Sequence, residues 1–215
     1  MKAAMLRVFY GPMFSGKTNS LLTAVGVERV NYAKKIVLKS VLDTREIPGS
    51  GIVTANDRKE DVFLRSRTGM SLRVDYVIST LSSLLIPREK TLYVIDEIQF
   101  LEKSELLDFS SRVVNSGSAL FAAGLDLDFR RKEFGATLEL SRFAESLHGK
   151  DAVKVLEAKC CYPGCGAPAS YTQRLSAGGK DVVVVGGEEF YRPACAAHHT
   201  PTPLTVTGEG WATGY

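Results

Sequence analysis

Short apolar runs alternate with amphipathic stretches over roughly the first two thirds of the chain. Met5–Tyr10, Lys35–Lys39, Leu92–Ile95 and Ala119–Ala123 read as strands, and Lys17–Val30, Ser104–Asn115 and Thr137–Leu147 read as helices. Strands alternating with helices predict an α/β fold, a parallel sheet with crossover helices on its faces. Ligands of such sheets gather at the carboxyl ends of the strands. The stretch from Glu46 to Arg65 breaks the pattern. It holds Pro48-Gly49-Ser50-Gly51 and the polar run Asn56 to Asp61, and predicts a mobile loop near the ligand end. From Val153 the character changes: Lys154–Lys159, Ser170–Leu175 and Asp181–Val185 read as short strands separated by glycines, as in a small β unit. Thr200 to Tyr215 is rich in Thr, Pro and Gly without periodicity and predicts a disordered tail. The expected division is therefore 1–150, 151–199 and 200–215.

The first strand runs into Gly11-Pro12-Met13-Phe14-Ser15-Gly16-Lys17-Thr18, a complete G-x-x-x-x-G-K-[ST] phosphate-binding loop between a strand and a helix. Gly11 and Gly16 allow a tight turn whose N–H groups converge on phosphate oxygens. Lys17 adds a positive charge near the β- and γ-phosphates, and the Thr18 hydroxyl is a ligand for Mg²⁺. The helix N-terminus favours the same anion. Leu92–Ile95 then ends in Asp96 and Glu97, as a magnesium-holding strand beside such a loop does. Asp96 is assigned to Mg²⁺. Neighbours on a strand point to opposite sides, so Glu97 need not share that role. Glu97 suits a base that acts on water or on a substrate hydroxyl, and spacing does not choose between them.

Composition narrows the rest. The 215 residues are 45% hydrophobic and 24% charged, with a formal charge of +3, which is ordinary for a globular protein and too mild for a nucleic-acid-coating surface. A nucleic-acid-binding ATPase shares the phosphate loop, but the chain lacks the basic stripe it needs, and no direct nucleic-acid binding is expected. No apolar run approaches the ~20 residues of a membrane helix. Arg7 interrupts the apolar N-terminus, which leads directly into the loop, so a signal peptide is not expected and a cytoplasmic location is. All four cysteines lie between 160 and 195, which points to a metal site and away from a disulfide framework. Cys160 or Cys161 with Cys165 forms one hook, Cys160 being favoured, and Cys195 with His198 forms the other, His199 being the weaker choice. Four such ligands close a structural Zn²⁺ site. His148 carries no signal. Phe100, Phe129, Phe134 and Tyr191 are ordinary core residues unless they converge on a flat substrate.

Taken together, residues 11–18 (GPMFSGKT), 43–45 (DTR), 66–70 (SRTGM), 94–100 (VIDEIQF), 123–135 (AGLDLDFRRKEFG), 166–175 (GAPASYTQRL) and 186–195 (GGEEFYRPAC), with the closing His198, resemble the type II thymidine kinases. The resemblance implies a phosphate-loop α/β core with a zinc-tied lasso, and transfer of the ATP γ-phosphate to the 5′-hydroxyl of thymidine. It implies Glu97 as general base, Lys17 and the loop amides as the phosphate cradle, and Thr18 with Asp96 as the Mg²⁺ site. Asp43 and Arg45 are implied near the transferred phosphate. Met13, Phe100, Leu125, Phe129 and Phe134 are implied as the base pocket, with Tyr191 beside the base. Thr172 and the lasso residues Val182, Val183, Val184 and Val185 are implied contacts. A homotetramer and feedback inhibition by thymidine triphosphate are implied as well.

Overall fold

The computed structural model describes residues 4–43, 52–54, 61–175 and 190–201. The strands are β1 (Met5–Tyr10), β2 (Lys34–Ser40), β3 (Ile52–Thr54), β4 (Phe63–Arg65), β5 (Ser71–Arg73), β6 (Tyr76–Ile78), β7 (Thr91–Asp96) and β8 (Ala119–Gly124). They continue with β9 (Val153–Val155), β10 (Ala158–Lys159), β11 (Pro168–Ala169), β12 (Tyr171–Arg174) and β13 (Tyr191–Ala194). Three α-helices accompany them: α1 (Lys17–Glu28), α2 (Lys103–Asn115) and α3 (Thr137–His148).

Seven strands form one sheet in the order β3-β6-β2-β7-β8-β1-β9. Six run parallel, and β3 pairs antiparallel with β6 at the edge. The central strands β7 and β8 are buried at every position, which is why they read as unbroken apolar runs. Helix α1 packs on one face over β8 and β1, with Leu21, Leu22 and Val25 joining Val37, Val94 and Phe121. Helices α2 and α3 bring Leu106, Phe109, Val113, Leu140 and Ala144 to a second apolar cluster with Leu6, Tyr93, Ile95 and Leu120. The spacing of these buried helix positions is the helical one that the sequence displays. Glu102 caps α2 by accepting from the Glu105 N–H at 2.8 Å.

Several expectations need correction. Lys154–Lys159 is not one strand: Val153–Val155 pairs with β1 as an edge of the large sheet, and the chain leaves it before β10. The stretch Glu46–Arg65 contains β3 and β4, with β4 in a hairpin with β5. The strand β6 went unrecognised because only three residues, Tyr76–Ile78, separate turn-forming neighbours. Helix α1 also ends at Glu28, where a 3₁₀ turn, Arg29–Asn31, takes over. The expected strand Asp181–Val185 and tail residues 202–215 lie outside the described residues. Thr200, placed by sequence in that tail, is held by Gln173, whose Oε1 accepts from its N–H at 2.7 Å.

Candidate active site

The site sits where β1, β7 and β8 end. After Tyr10 the chain turns through Gly11–Gly16 and enters α1 at Lys17. Lys17 is buried, and its Nζ donates to the Pro12 carbonyl at 2.7 Å, as the Ser15 hydroxyl does at 2.9 Å. Burial holds the Lys17 pKa below the usual lysine value, against the pull of the Glu97, Asp96 and Asp126 carboxylates. The Thr18 hydroxyl donates to Asp96 Oδ2 at 2.7 Å. These are hard oxygen donors side by side, the set that a magnesium ion with few protein ligands requires. One loop amide bonds outside the loop: Met13 N–H donates to Thr172 Oγ1 at 2.9 Å, joining the loop to β12.

Asp96 and Glu97 are not neighbours on one strand. Strand β7 ends at Asp96, and Glu97 takes a left-handed backbone conformation with φ 55°. That conformation is costly for a residue with a side chain, and it turns Glu97 into the same site. Asp96 is buried and its pKa is pushed up to about 7, by desolvation first and by the Glu97 charge second, while the Thr18 hydrogen bond opposes the shift. The Glu97 carboxylate accepts from Gln99 Nε2 at 2.5 Å, and Gln99 Oε1 accepts from the Leu125 N–H at 3.0 Å.

A cavity of about 420 Å³ opens over these groups. Its lining includes Met13, Phe14, Gly16, Lys17, Thr18 and Glu97, together with Phe100, Leu125, Phe129, Phe134, Thr172 and Tyr191. The aromatic residues therefore do converge. Phe100 and Phe134 meet edge to face at 5.9 Å, and guanidinium groups of Arg130 and Arg174 lie 4.9 and 5.1 Å from the Phe129 ring centre. Polar groups at one part of an aromatic cavity are the arrangement expected of a site for a small, partly flat ligand.

Sequence reasoning missed several lining residues: Asn19, Arg65, Ser66, Arg67, Thr68, Gln99, Leu127 and Asp128. Arg65 ends β4 and residues 66–68 begin the tip of the β4–β5 hairpin, which leans on α1 through Thr68 Oγ1 to Asn19 Oδ1 at 2.5 Å. Arg67 also lies over the Phe14 ring at 5.1 Å. The segment SRTGM carried this signal, but a hairpin tip gives no hint of what it will touch. Gln99 is invisible without knowing that Glu97 and Leu125 flank it. Gly11, Pro12 and Ser15 shape the loop without lining the cavity. Asp43 closes a 3₁₀ turn, Val41–Asp43, and its side chain, Arg45 and Val182–Val185 lie outside the described residues.

The two cysteine hooks meet. Ligand atoms of Cys160, Cys165, Cys195 and His198 all lie within 4.8 Å of one another. The Cys165–Cys195 sulfur separation is 3.9 Å, and His198 Nδ1 is 3.6 Å from Cys160 Sγ and 3.4 Å from Cys195 Sγ. Tetrahedral Zn²⁺ with ordinary bond lengths puts S···S at about 3.8 Å and S···N at about 3.6 Å, so the four groups fit that ion. Burial raises the Cys160 thiol pKa. At Cys195 the desolvation that opposes ionisation is outweighed by the His198 and Ala197 N–H groups, which lower it. The alternatives resolve: Cys161 Sγ turns to the Lys159 carbonyl at 3.7 Å, and the Tyr162 ring stacks on His198 at 3.9 Å. His199 faces the other way, accepting from Arg131 Nε at 3.0 Å, with Nε2 3.2 Å from the Thr172 carbonyl. Burial, and then the Arg131 charge, keep the His199 pKa below the usual histidine value.

Two comparisons with known proteins bear on this arrangement. A family model described as thymidine kinase matches residues 4–199. The cytosolic thymidine kinase of Gallus gallus is 33% identical over 192 residues, covering 89% of this chain and 75% of the relative. The family match over residues 4–199 and the identity over most of both chains show that this chain belongs to the thymidine kinase family.

Proposed function

We propose that this protein transfers the γ-phosphate of ATP to the 5′-hydroxyl of thymidine or deoxyuridine, and that it works in the cytosol as a homotetramer. The observation that carries the reading is the cavity itself. Lys17 and Thr18 of the phosphate loop, the Glu97 carboxylate and the aromatic group around Phe100, Phe129 and Phe134 border one space.

In this mechanism Glu97 accepts the proton of the 5′-hydroxyl as its oxygen attacks the γ-phosphorus. The bond to the β,γ-bridging oxygen breaks, and ADP leaves with that electron pair. Lys17 and the loop amides hold the phosphates, and Asp43 and Arg45 act near the one being transferred. Thr18 and Asp96 would hold Mg²⁺, which supplies charge neutralisation at the phosphates. Met13, Leu125 and the aromatic residues take the base, Tyr191 lies beside it, and Thr172 with Val182–Val185 contact its edge. Cys160, Cys165, Cys195 and His198 would hold structural Zn²⁺ at the root of that segment. An enclosed nucleoside directs the phosphoryl group to the sugar and away from water.

Purified protein incubated with magnesium ATP and thymidine, with deoxyuridine in a parallel arm, is expected to yield the 5′-monophosphate. The Glu97→Gln variant is expected to retain nucleotide binding and to lose roughly 10²–10⁴-fold in kcat. Absence of a monophosphate from folded, zinc-loaded protein would reject the activity, and near-normal turnover by the variant would reject the role of Glu97. Sedimentation of the same protein gives its subunit number.

A further inference from the structure

Gln99 is buried and belongs neither to the phosphate cradle nor to the aromatic wall. Its amide is committed at both ends, to the Glu97 carboxylate at 2.5 Å and to the Leu125 N–H at 3.0 Å. These partners fix which way the amide points: a main-chain N–H can only donate, and an ionised carboxylate can only accept. Leu125 opens the stretch that carries the cavity residues Leu125, Leu127, Asp128, Phe129 and Phe134. The side chain is a cross-brace between the carboxylate and the wall that faces the ligand's ring.

Two glycines leave room for that brace. A Cβ on Gly124 would lie 2.8 Å from Gln99 Oε1, and one on Gly135 would lie 2.4 Å from the Gln99 carbonyl oxygen. Gly135 also has φ +62°, where a side chain is strained in any case. Glu97 is left-handed as well, so its direction is set by backbone and brace together.

We propose that Gln99 is a positioning residue that holds the Glu97 carboxylate at a fixed distance from the base pocket, placing the proton acceptor at the sugar hydroxyl of a docked nucleoside. This rests on Glu97 being the base. A misplacement of about an ångström at a reacting centre costs on the order of 10²-fold in rate, which is the scale the brace controls.

The Glu97 end can be cut alone or together with the Leu125 end. Gln99→Glu keeps an acceptor for the Leu125 N–H and replaces the donor to Glu97, whereas Gln99→Leu removes both. Gln99→Glu is expected to lower kcat by about 10–100-fold with the thymidine KM within about threefold, and Gln99→Leu to raise KM as well. In a Glu97→Ala background, Gln99→Leu is expected to change kcat by less than about twofold, because the group it positions is gone. Near-wild-type kcat in Gln99→Glu, or an equal kcat loss from Gln99→Leu in both backgrounds, overturns the proposal and leaves Gln99 a structural residue. Near-normal turnover by Glu97→Ala alone overturns the assignment of the base instead. If Gln99→Glu does not fold, the comparison of Gln99→Leu across the two backgrounds decides the question.

Discussion

At the scale of single residues, the site works by placing acids where folding alone disfavours them. Asp96 ends a strand buried at every position, beside Glu97, and its folded pKa is raised to about 7 from an ordinary value of 3.8. A raised carboxyl pKa means that folding prefers the protonated form. Asp96 therefore contributes no penalty to ligand-free stability below about pH 4, a growing one as pH rises toward 7, and a constant one above that. Asp96→Asn removes the penalty and keeps an oxygen for the Thr18 hydroxyl. In urea denaturation without ligand it is expected to match the native protein near pH 4 and to exceed it by roughly 1–3 kcal/mol at pH 8. At pH 8 the same variant is expected to lose phosphoryl transfer, since the anionic oxygen offered to Mg²⁺ is gone. A variant no more stable than the native protein at pH 8 would show that burial of Asp96 costs nothing.

Among secondary-structure elements, those with a strong local signal were readable and those defined by their partners were not. The four long strand expectations correspond to β1, β2, β7 and β8, and the three helices are found within a residue or two of their expected bounds. Their apolar runs and helical spacing state which face is buried. The strands β3 to β6 have three residues each, too few for a period, and they exist because an edge or a hairpin partner completes their hydrogen bonds. The candidate site divides in the same way. A phosphate loop and paired cysteines declare themselves by spacing, whereas Gln99 and the tip of the β4–β5 hairpin matter through residues far along the chain. Asp128 acts locally: its carboxylate accepts from the Arg130 and Lys132 N–H groups at 2.8 and 2.9 Å, stabilising the turn between Leu125 and Phe134. That turn ends at Gly135, which fixes how closely it approaches Gln99. Gly135→Ala is expected to destabilise the protein by about 1–3 kcal/mol and to lower kcat more than Gln99→Glu does, because a Cβ there strains φ and displaces the Gln99 backbone. Unchanged urea midpoint and turnover in this variant would show that the turn yields without cost.

Over the whole molecule, the cysteine–histidine knot reaches the phosphate loop through a short series of contacts. Cys195 and His198 belong to one hook, and His199 continues it to Arg131 and to the Thr172 carbonyl. Arg131 also donates to the His199 and Ala196 carbonyls at 3.1 and 3.3 Å and lies 4.3 Å from the centre of the Tyr171 ring. Thr172 then accepts from the Met13 N–H in the loop itself. The parallel sheet and its two apolar clusters do not depend on this series, since their members all lie between Met5 and Leu156, ahead of the first cysteine. The small strand pairs β10–β11 and β12–β13 have only two and four paired positions, too few to hold themselves together. Metal binding is therefore expected to supply their stability and, through Thr172, the position of the loop. Stripping Zn²⁺ with a zinc-selective chelator and restoring excess Mg²⁺ is expected to leave most of the helical circular dichroism. It is expected to cut thymidine phosphorylation more than tenfold and to raise KM for both substrates. Returning one equivalent of Zn²⁺ is expected to restore both. Full activity in protein shown by elemental analysis to be free of zinc would mean that the four ligands hold the small unit without a metal, and that the path from His199 to Met13 stands on protein contacts alone.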